Sequence, residues 1–285
     1  MGKNKLKKFA EMETFSNVFQ CGAREMLPSN QIHPMAGHWR DAYFHNNNPI
    51  VLELGCGRGE YTVGLAKQYP EKNFIGIDIK GARMWAGAKE AELNALKNVA
   101  FLRTNIEIIT SFFVRDEVDE IWITFCDPQM KKATKRLTST YFMQRYQEIV
   151  RPEGLIHLKT DSPFLYTYTC EMLRLNAYPV LCNTSDLYAD ETGSLADAKA
   201  LQTHYEKQWL DRGLSIKYLQ WQLSPKTQWE EPAIEIEHDS YRSYGRNYVA
   251  SNPSSNTAPR LFGRVLRLLF VACYTRGGSR RGAGG

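Results

Sequence analysis

From Ile50 onward the chain alternates between two hydrophobic rhythms. Short apolar runs that read as buried strands are Ile50–Leu54, Phe74–Asp78, Val99–Arg103, Glu120–Phe125, Leu155–Thr160 and Tyr178–Cys182. Between them lie longer stretches with apolar residues at helical spacing: Tyr61–Gln68, Arg83–Leu96, Thr140–Val150 and Pro163–Leu175. Strands that alternate with helices predict a mostly parallel sheet covered on both faces, an α/β fold. A polar loop over 185–196, a helix-like stretch to Trp209 and a last strand over Ser215–Leu223 complete the pattern, for seven strands in all. Residues 1–48 show little periodicity and end in Asn46-Asn47-Asn48-Pro49, a loop signal, so they read as an N-terminal extension to a domain over 49–246.

The first strand runs into glycines at every second position, Gly55, Gly57 and Gly59. Such a run permits a tight strand-to-helix turn on which a ligand rests directly against backbone. The neighbouring acids narrow the ligand. A dinucleotide brings a diphosphate to the helix N-terminus, and Glu53 and Glu60 would repel it there. A cationic, phosphate-free nucleotide suits the place better, and S-adenosylmethionine is one. Asp78 closes the second strand, near the spacing expected of a carboxylate that grips ribose hydroxyls.

Strand-end chemistry continues along the sheet. Glu53, Asp78, Asn105, Asp127 and Asp161 sit at or just past the ends of five successive strands, the edge where open α/β sheets bind ligands. A single such residue reads equally well as a helix cap; five converging on one edge read as a site. Asn105 offers an amide donor and acceptor to an adenine edge. After Asp127-Pro128 the chain turns basic, with Lys131, Lys132, Lys135 and Arg136 within six residues, a run suited to phosphate backbone at that edge of the sheet. Leu158-Lys159-Thr160-Asp161 and Thr203-His204-Tyr205-Glu206 add polar groups further on, though His204 alone reads as a surface histidine.

Charge and cysteines set the setting. The net charge is +5, but residues 247–285 hold six arginines, no lysine and no acid; without those six, 30 basic and 31 acidic residues remain, a net of −1. Global basicity is therefore no argument for nucleic acid, and local clusters carry that case. The tail reads as a disordered or non-native extension more simply than as an arginine-rich RNA-binding arm. Six scattered cysteines without knuckle or redox spacing, the lack of an apolar signal core after the basic start, and the lack of a bilayer-length apolar run predict a cytoplasmic protein with neither metal nor membrane.

In this order, Leu52-Glu53-Leu54-Gly55-x-Gly57-x-Gly59, Gly76-Ile77-Asp78, Asp127-Pro128 with Lys131-Lys132, His157-x-Lys159-Thr160-Asp161 and Thr203-x-Tyr205-Glu206 resemble the tRNA (guanine-N(7)-)-methyltransferase family, over roughly residues 50–221. The glycine motif is generic to methyltransferases, and the later set is more specific. The resemblance implies a Rossmann-like class I methyltransferase fold with the last strand antiparallel, S-adenosylmethionine as donor, and the variable-loop guanosine of tRNA as acceptor. It places donor-binding positions on Glu53, Asp78, Asn105 and Asp127, beside Gly55, Gly57 and Gly59, and substrate-binding positions on Lys131, Asp161, Thr203, His204, Tyr205 and Glu206. Lys132, Lys135 and Arg136 are expected on the RNA backbone. The family's Trp-Pro pair after Asp-Pro is replaced by Gln129-Met130, Ala133 and Thr134 follow the lysines where a histidine contact is usual, and Asn105 stands where Asp is frequent.

Guanine N7 carries a lone pair and no proton, so methyl transfer there needs no general base and rests on alignment. A carboxylate accepts both donors of the guanine Watson–Crick edge, a part for Asp161 or Glu206, with Asp127 near the reacting centre as the catalytic candidate. The base is expected to leave its stack. The residues leave open a small-molecule methyltransferase, an NAD-dependent oxidoreductase and a tRNA-binding module without catalysis. A monomer or homodimer fits.

Overall fold

The computed structural model describes residues 3–21, 32–191 and 195–240. The chain divides into Met1–Tyr241 and Arg242–Gly285, and the expected basic tail over 247–285 lies outside the described residues. Eight strands form one sheet: β1 Val18–Gln20, β2 Ile50–Leu54, β3 Asn73–Ile77, β4 Val99–Arg103, β5 Val118–Thr124, β6 Val150–Thr160, β7 Val180–Thr184 and β8 Lys217–Gln222. Their order is β1-β4-β3-β2-β5-β6-β8-β7. All neighbours are parallel except that β8 runs antiparallel to β6 and β7. The strand order reverses between β2 and β5, and above their carboxyl ends opens the crevice that such sheets use for ligands.

Alternation along the strands sorts the core into two layers. Ile50, Leu52 and Leu54 join Ile121, Ile123 and Ile156 on one face. Val51 joins Phe74, Phe101 and Trp122 on the other, the face of helix Glu60–Gln68. Strands β2 and β3 are buried at every residue, as strands covered by helices on both sides must be. Glu53 shares the parity of Val51, so its carboxylate is delivered beneath the first turn of that helix.

The N-terminal segment departs from the expectation of a separate extension. Val18 pairs with Phe101, so β1 is an eighth strand in the same sheet, beyond the seven expected. Helix Lys3–Met12 docks on helix Gly81–Leu93, where Glu11 accepts hydrogen bonds from Trp85 Nε1 at 2.9 Å and Lys89 Nζ at 2.6 Å. Trp39 is fully buried and donates from Nε1 to Phe112 O at 2.9 Å. Three-residue strands are too short to show a period, so this docking left no trace in the pattern.

Two further elements shift. The helix-like stretch before Trp209 is two helices, Ala196–Ala200 and His204–Asp211, divided where Thr203 caps the second. After β8 the chain returns without regular structure but well tied: Gln147 brackets the Lys226 backbone, Asn176 brackets the Glu230 backbone, and Asp239 accepts from Phe164 N at 3.0 Å.

Candidate functional site

A cleft of about 650 Å³ opens over the carboxyl ends of β2, β3, β4 and β5. Its floor is the glycine turn. Gly55, Gly57 and Gly59 have φ of 79°, 57° and 73°, the left-handed region that favours glycine. A Cβ on Gly59 would lie 2.6 Å from the Phe101 ring, so that glycine lets the turn sit on the sheet. A Cβ on Gly55 would meet nothing within 4 Å, so there the bare backbone faces open space.

Two acids anchor this turn. Asp78 Oδ2 accepts from Gly57 N at 3.0 Å and Oδ1 from Lys80 N at 2.8 Å, which holds the carboxylate at the cleft wall with lone pairs to spare. Glu53 lines the cleft but is 4% exposed. It accepts from Thr62 N at 2.8 Å, Thr62 Oγ1 at 2.5 Å and Thr124 Oγ1 at 2.7 Å. Burial pushes its carboxyl up to about 7, against these hydrogen bonds. Asn105 caps nothing with its side chain and lines the cleft.

Asp127 is exposed at the cleft mouth on a strained loop: Phe125 and Gln129, on either side of it, both have φ of 48°. Gln129 N donates to Asp127 Oδ1 at 3.0 Å. The basic run beyond it divides. Lys131 and Lys132 are exposed, and Lys135 lines the cleft with Lys132 while paired to Glu107. Arg136, expected on RNA backbone, is instead 4% exposed. Its guanidinium donates to Pro128 O at 3.1 Å and Gln129 O at 3.1 Å and stacks on the Tyr168 ring at 3.9 Å. Arg136 is the internal staple of the loop, and its spacing to the lysines gave no sign of this because its partners are backbone carbonyls.

On the opposite wall, Thr203 and Tyr205 line the cleft. Glu206, expected at the guanine edge, is fully buried. It forms a capping box with Thr203, accepts from Tyr188 Oη at 2.6 Å and pairs with Lys159 Nζ at 2.8 Å. Burial pushes the Lys159 ammonium down, opposed by Glu206. Asp161 is 1% exposed and acts on the Lys217 ammonium, which burial pushes down and Asp161, Asp186 and Asp239 push up. The His204 ring hydrogen-bonds through Nε2 with Gln208 Nε2 at 3.2 Å on the surface, while its backbone N donates to Glu60 Oε2 at 2.8 Å. The structure thus gathers Glu53, Gly55, Gly57, Asp78, Asn105, Asp127, Lys132, Lys135, Thr203 and Tyr205 around one space. It sets Gly59, Lys131, Asp161, His204, Glu206 and Arg136 outside the lining. Lys80 and Arg83, which also line it, were missed, although both closely follow Asp78 in the sequence.

Comparison with known proteins bears on this arrangement. A family model described as a putative methyltransferase matches residues 47–219. A tRNA (guanine-N(7)-)-methyltransferase of Bacteroides fragilis is 58% identical over 249 residues, 87% of this chain and 96% of that relative. The chain belongs to the tRNA (guanine-N(7)-)-methyltransferase family. Its relative in Porphyromonas gingivalis, which carries the same name, is 57% identical over 83% of this chain and 97% of its own length. Among solved structures, the 16S rRNA methyltransferase KamB superposes with a TM-score of 0.51 at 16% identity, covering 66% of this chain and 92% of its own, which shows a shared fold. The family model's match extends well beyond the glycine turn, through the basic loop and the helix that Thr203 caps. No helix among the described residues is long and apolar enough to cross a membrane.

Proposed function

We propose that this protein transfers the methyl group of S-adenosylmethionine to N7 of the variable-loop guanosine of tRNA. The observation that carries the reading is one cleft in which a backbone cradle with two acids meets a cationic rim of Lys80, Arg83, Lys132 and Lys135, in a chain whose 58% identical relative is named a tRNA (guanine-N(7)-)-methyltransferase.

The residues fit the donor. Open space at Gly55 lets an amino-acid end lie on the turn, Asp78 keeps lone pairs for ribose hydroxyls, and Asn105 presents an amide to adenine. When bound, S-adenosylmethionine supplies an electrophilic methyl on a sulfonium. Glu53 and Asp78 favour a cation over the diphosphate of a dinucleotide, which weighs against an oxidoreductase. Asp127 at the mouth stabilises charge developing on the guanine ring. Lys131, Lys132 and Lys135 hold phosphates, whereas Arg136 supports them from inside the loop. Tyr205, 39% exposed on the lining, gives a flipped base an aromatic face, with Thr203 beside it and Glu206 holding Thr203 from behind. A cytoplasmic monomer or homodimer without metal suits this chemistry.

The test is a radiolabelled methyl-transfer assay on bulk tRNA that lacks the modification, followed by nucleoside analysis and mapping of the labelled position. Label in 7-methylguanosine of the variable loop is expected. Label in another nucleoside, or tRNA binding with no transfer, would overturn the reading.

A further inference from the structure

We propose that Lys159 is a positioning residue that fixes the acceptor side of the cleft against the donor cradle; this rests on the function proposed above. Lys159 stands on β6, fully buried. An ammonium has three protons to donate, and each is taken by one segment of chain. Nζ lies 2.6 Å from Ala198 O, 2.9 Å from Leu201 O and 2.8 Å from Glu206 Oε1. Those three acceptors span residues 198–206, where regular structure lapses between two helices. A backbone break of this kind has no ladder of its own to set its path, so the lysine sets it.

The consequence reaches the cleft through Glu206. Its carboxylate, oriented by Lys159 and by Tyr188 Oη, completes the capping box that places Thr203 and begins the helix carrying Tyr205. Both of those residues line the cleft. The donor side is bound into the same unit. Tyr61, a lining residue on the first turn of helix Glu60–Gln68, lies with its ring 5.5 Å from Lys159 Nζ. Glu60, beside it, accepts from His204 N at 2.8 Å. Gly64, on the next turn, makes room for Leu201: a Cβ there would sit 2.8 Å from Leu201 Cδ2. One ammonium therefore ties the wall that would receive the base to the helix that follows the glycine turn. Lys159 touches neither partner of the reaction; its effect is on their alignment.

A buried ion pair can also serve stability alone, since removing one partner strands the other charge. The two roles separate by measurement. For Lys159→Met, binding of S-adenosylhomocysteine by calorimetry is expected at unchanged stoichiometry. Amides of residues 198–206 are expected to exchange at least about tenfold faster than in the wild type, with the rest of the sheet unchanged. Turnover on tRNA is expected to fall on the order of 100-fold, as displacement of reacting groups does, while tRNA affinity, dominated by phosphate contacts, holds. Loss of donor binding in parallel with turnover, or wild-type exchange over 198–206, or unchanged turnover, would each overturn the proposal. If Lys159→Met does not fold, Tyr188→Phe keeps the ammonium and removes one hydrogen bond to Glu206. A loss of turnover of about fivefold with intact donor binding is then expected, and unchanged turnover and exchange would overturn the proposal. Should the wild type fail to methylate tRNA, the proposed function falls, yet donor binding and exchange still decide the role of Lys159.

Discussion

The glycine cradle of the cleft is made chiefly of backbone, whereas the wall proposed to receive the acceptor is held by buried charge. At Gly55, Gly57 and Asp78 the polar groups at work are main-chain amides and a carboxylate at the cleft wall. Around residues 128–136 and 198–206, the shape of the wall depends on Arg136 and Lys159, neither of which faces solvent. A turn built from glycine can be strict because its geometry is local. A loop and a helix break have no such rule, and here each is pinned by a cation that collects carbonyl oxygens. The cost of damage should differ accordingly: in the cradle it falls on ligand affinity, in the acceptor wall on structure.

The largest effect is expected at Arg136. Lys132 lies on the same loop but in solvent, so the pair isolates burial from charge. Arg136→Met removes the guanidinium that the carbonyls of Pro128, Gln129 and Met130 share, leaving Gln129 O with Lys132 N as its donor, and a loss of about 3 kcal/mol in unfolding free energy is expected, read by urea denaturation. A loss below 1 kcal/mol would mean that the loop holds itself.

Glu53 comes next, because it is the one member of the cradle that is as buried as the acceptor cations. Its carboxyl is raised to about 7 in the fold, above its ordinary 4.5. The folded state therefore binds the proton more tightly than the unfolded chain. That contribution is fully present below the ordinary value and is lost as pH rises through about 7, an effect of roughly 3 kcal/mol. Glu53→Gln, which keeps a carbonyl for Thr62 and an amide for Thr124, is expected to remove most of this decline. Denaturation of both proteins at pH 5 and pH 8 checks it: parallel curves would show that Glu53 does not titrate there.

Asp78→Ala strips the cradle of its wall carboxylate and is expected to weaken S-adenosylmethionine binding by about 1–3 kcal/mol, with a loss of about 1 kcal/mol in stability from the Gly57 and Lys80 amides it no longer anchors. Calorimetry measures it, and unchanged affinity would remove Asp78 from the donor site. The smallest effect on the fold is expected for Lys132→Gln with Lys135→Gln. These side chains stand at the rim, so stability is expected to move by less than about 1 kcal/mol. The slope of log tRNA affinity against log salt is expected to flatten by about two, one for each lost phosphate contact. An unmoved slope would make them solvated surface only.

The residues whose part was legible share one property: their meaning is local. The glycine triplet with Glu53, the acid closing β3 and the strand–helix alternation follow from spacing along a few residues, because turn sterics and side-chain parity act at that range. Those features pointed to the α/β class and to the residues that line the cleft at the ends of β2 and β3, while the antiparallel last strand came with the resemblance. Tertiary structure alone decided the rest. Val18–Gln20 became a strand only because the edge of β4 offers partners for it. Arg136 shares its charge and its place in the sequence with three lysines, yet it turns inward because carbonyls and the Tyr168 ring surround it. Glu206 stands in the sequence like a carboxylate for the substrate, but Lys159, distant in sequence, pairs with it in the core. Whether a charge faces a ligand or an internal partner depends on what else is buried beside it, and burial is a property of the whole packed chain.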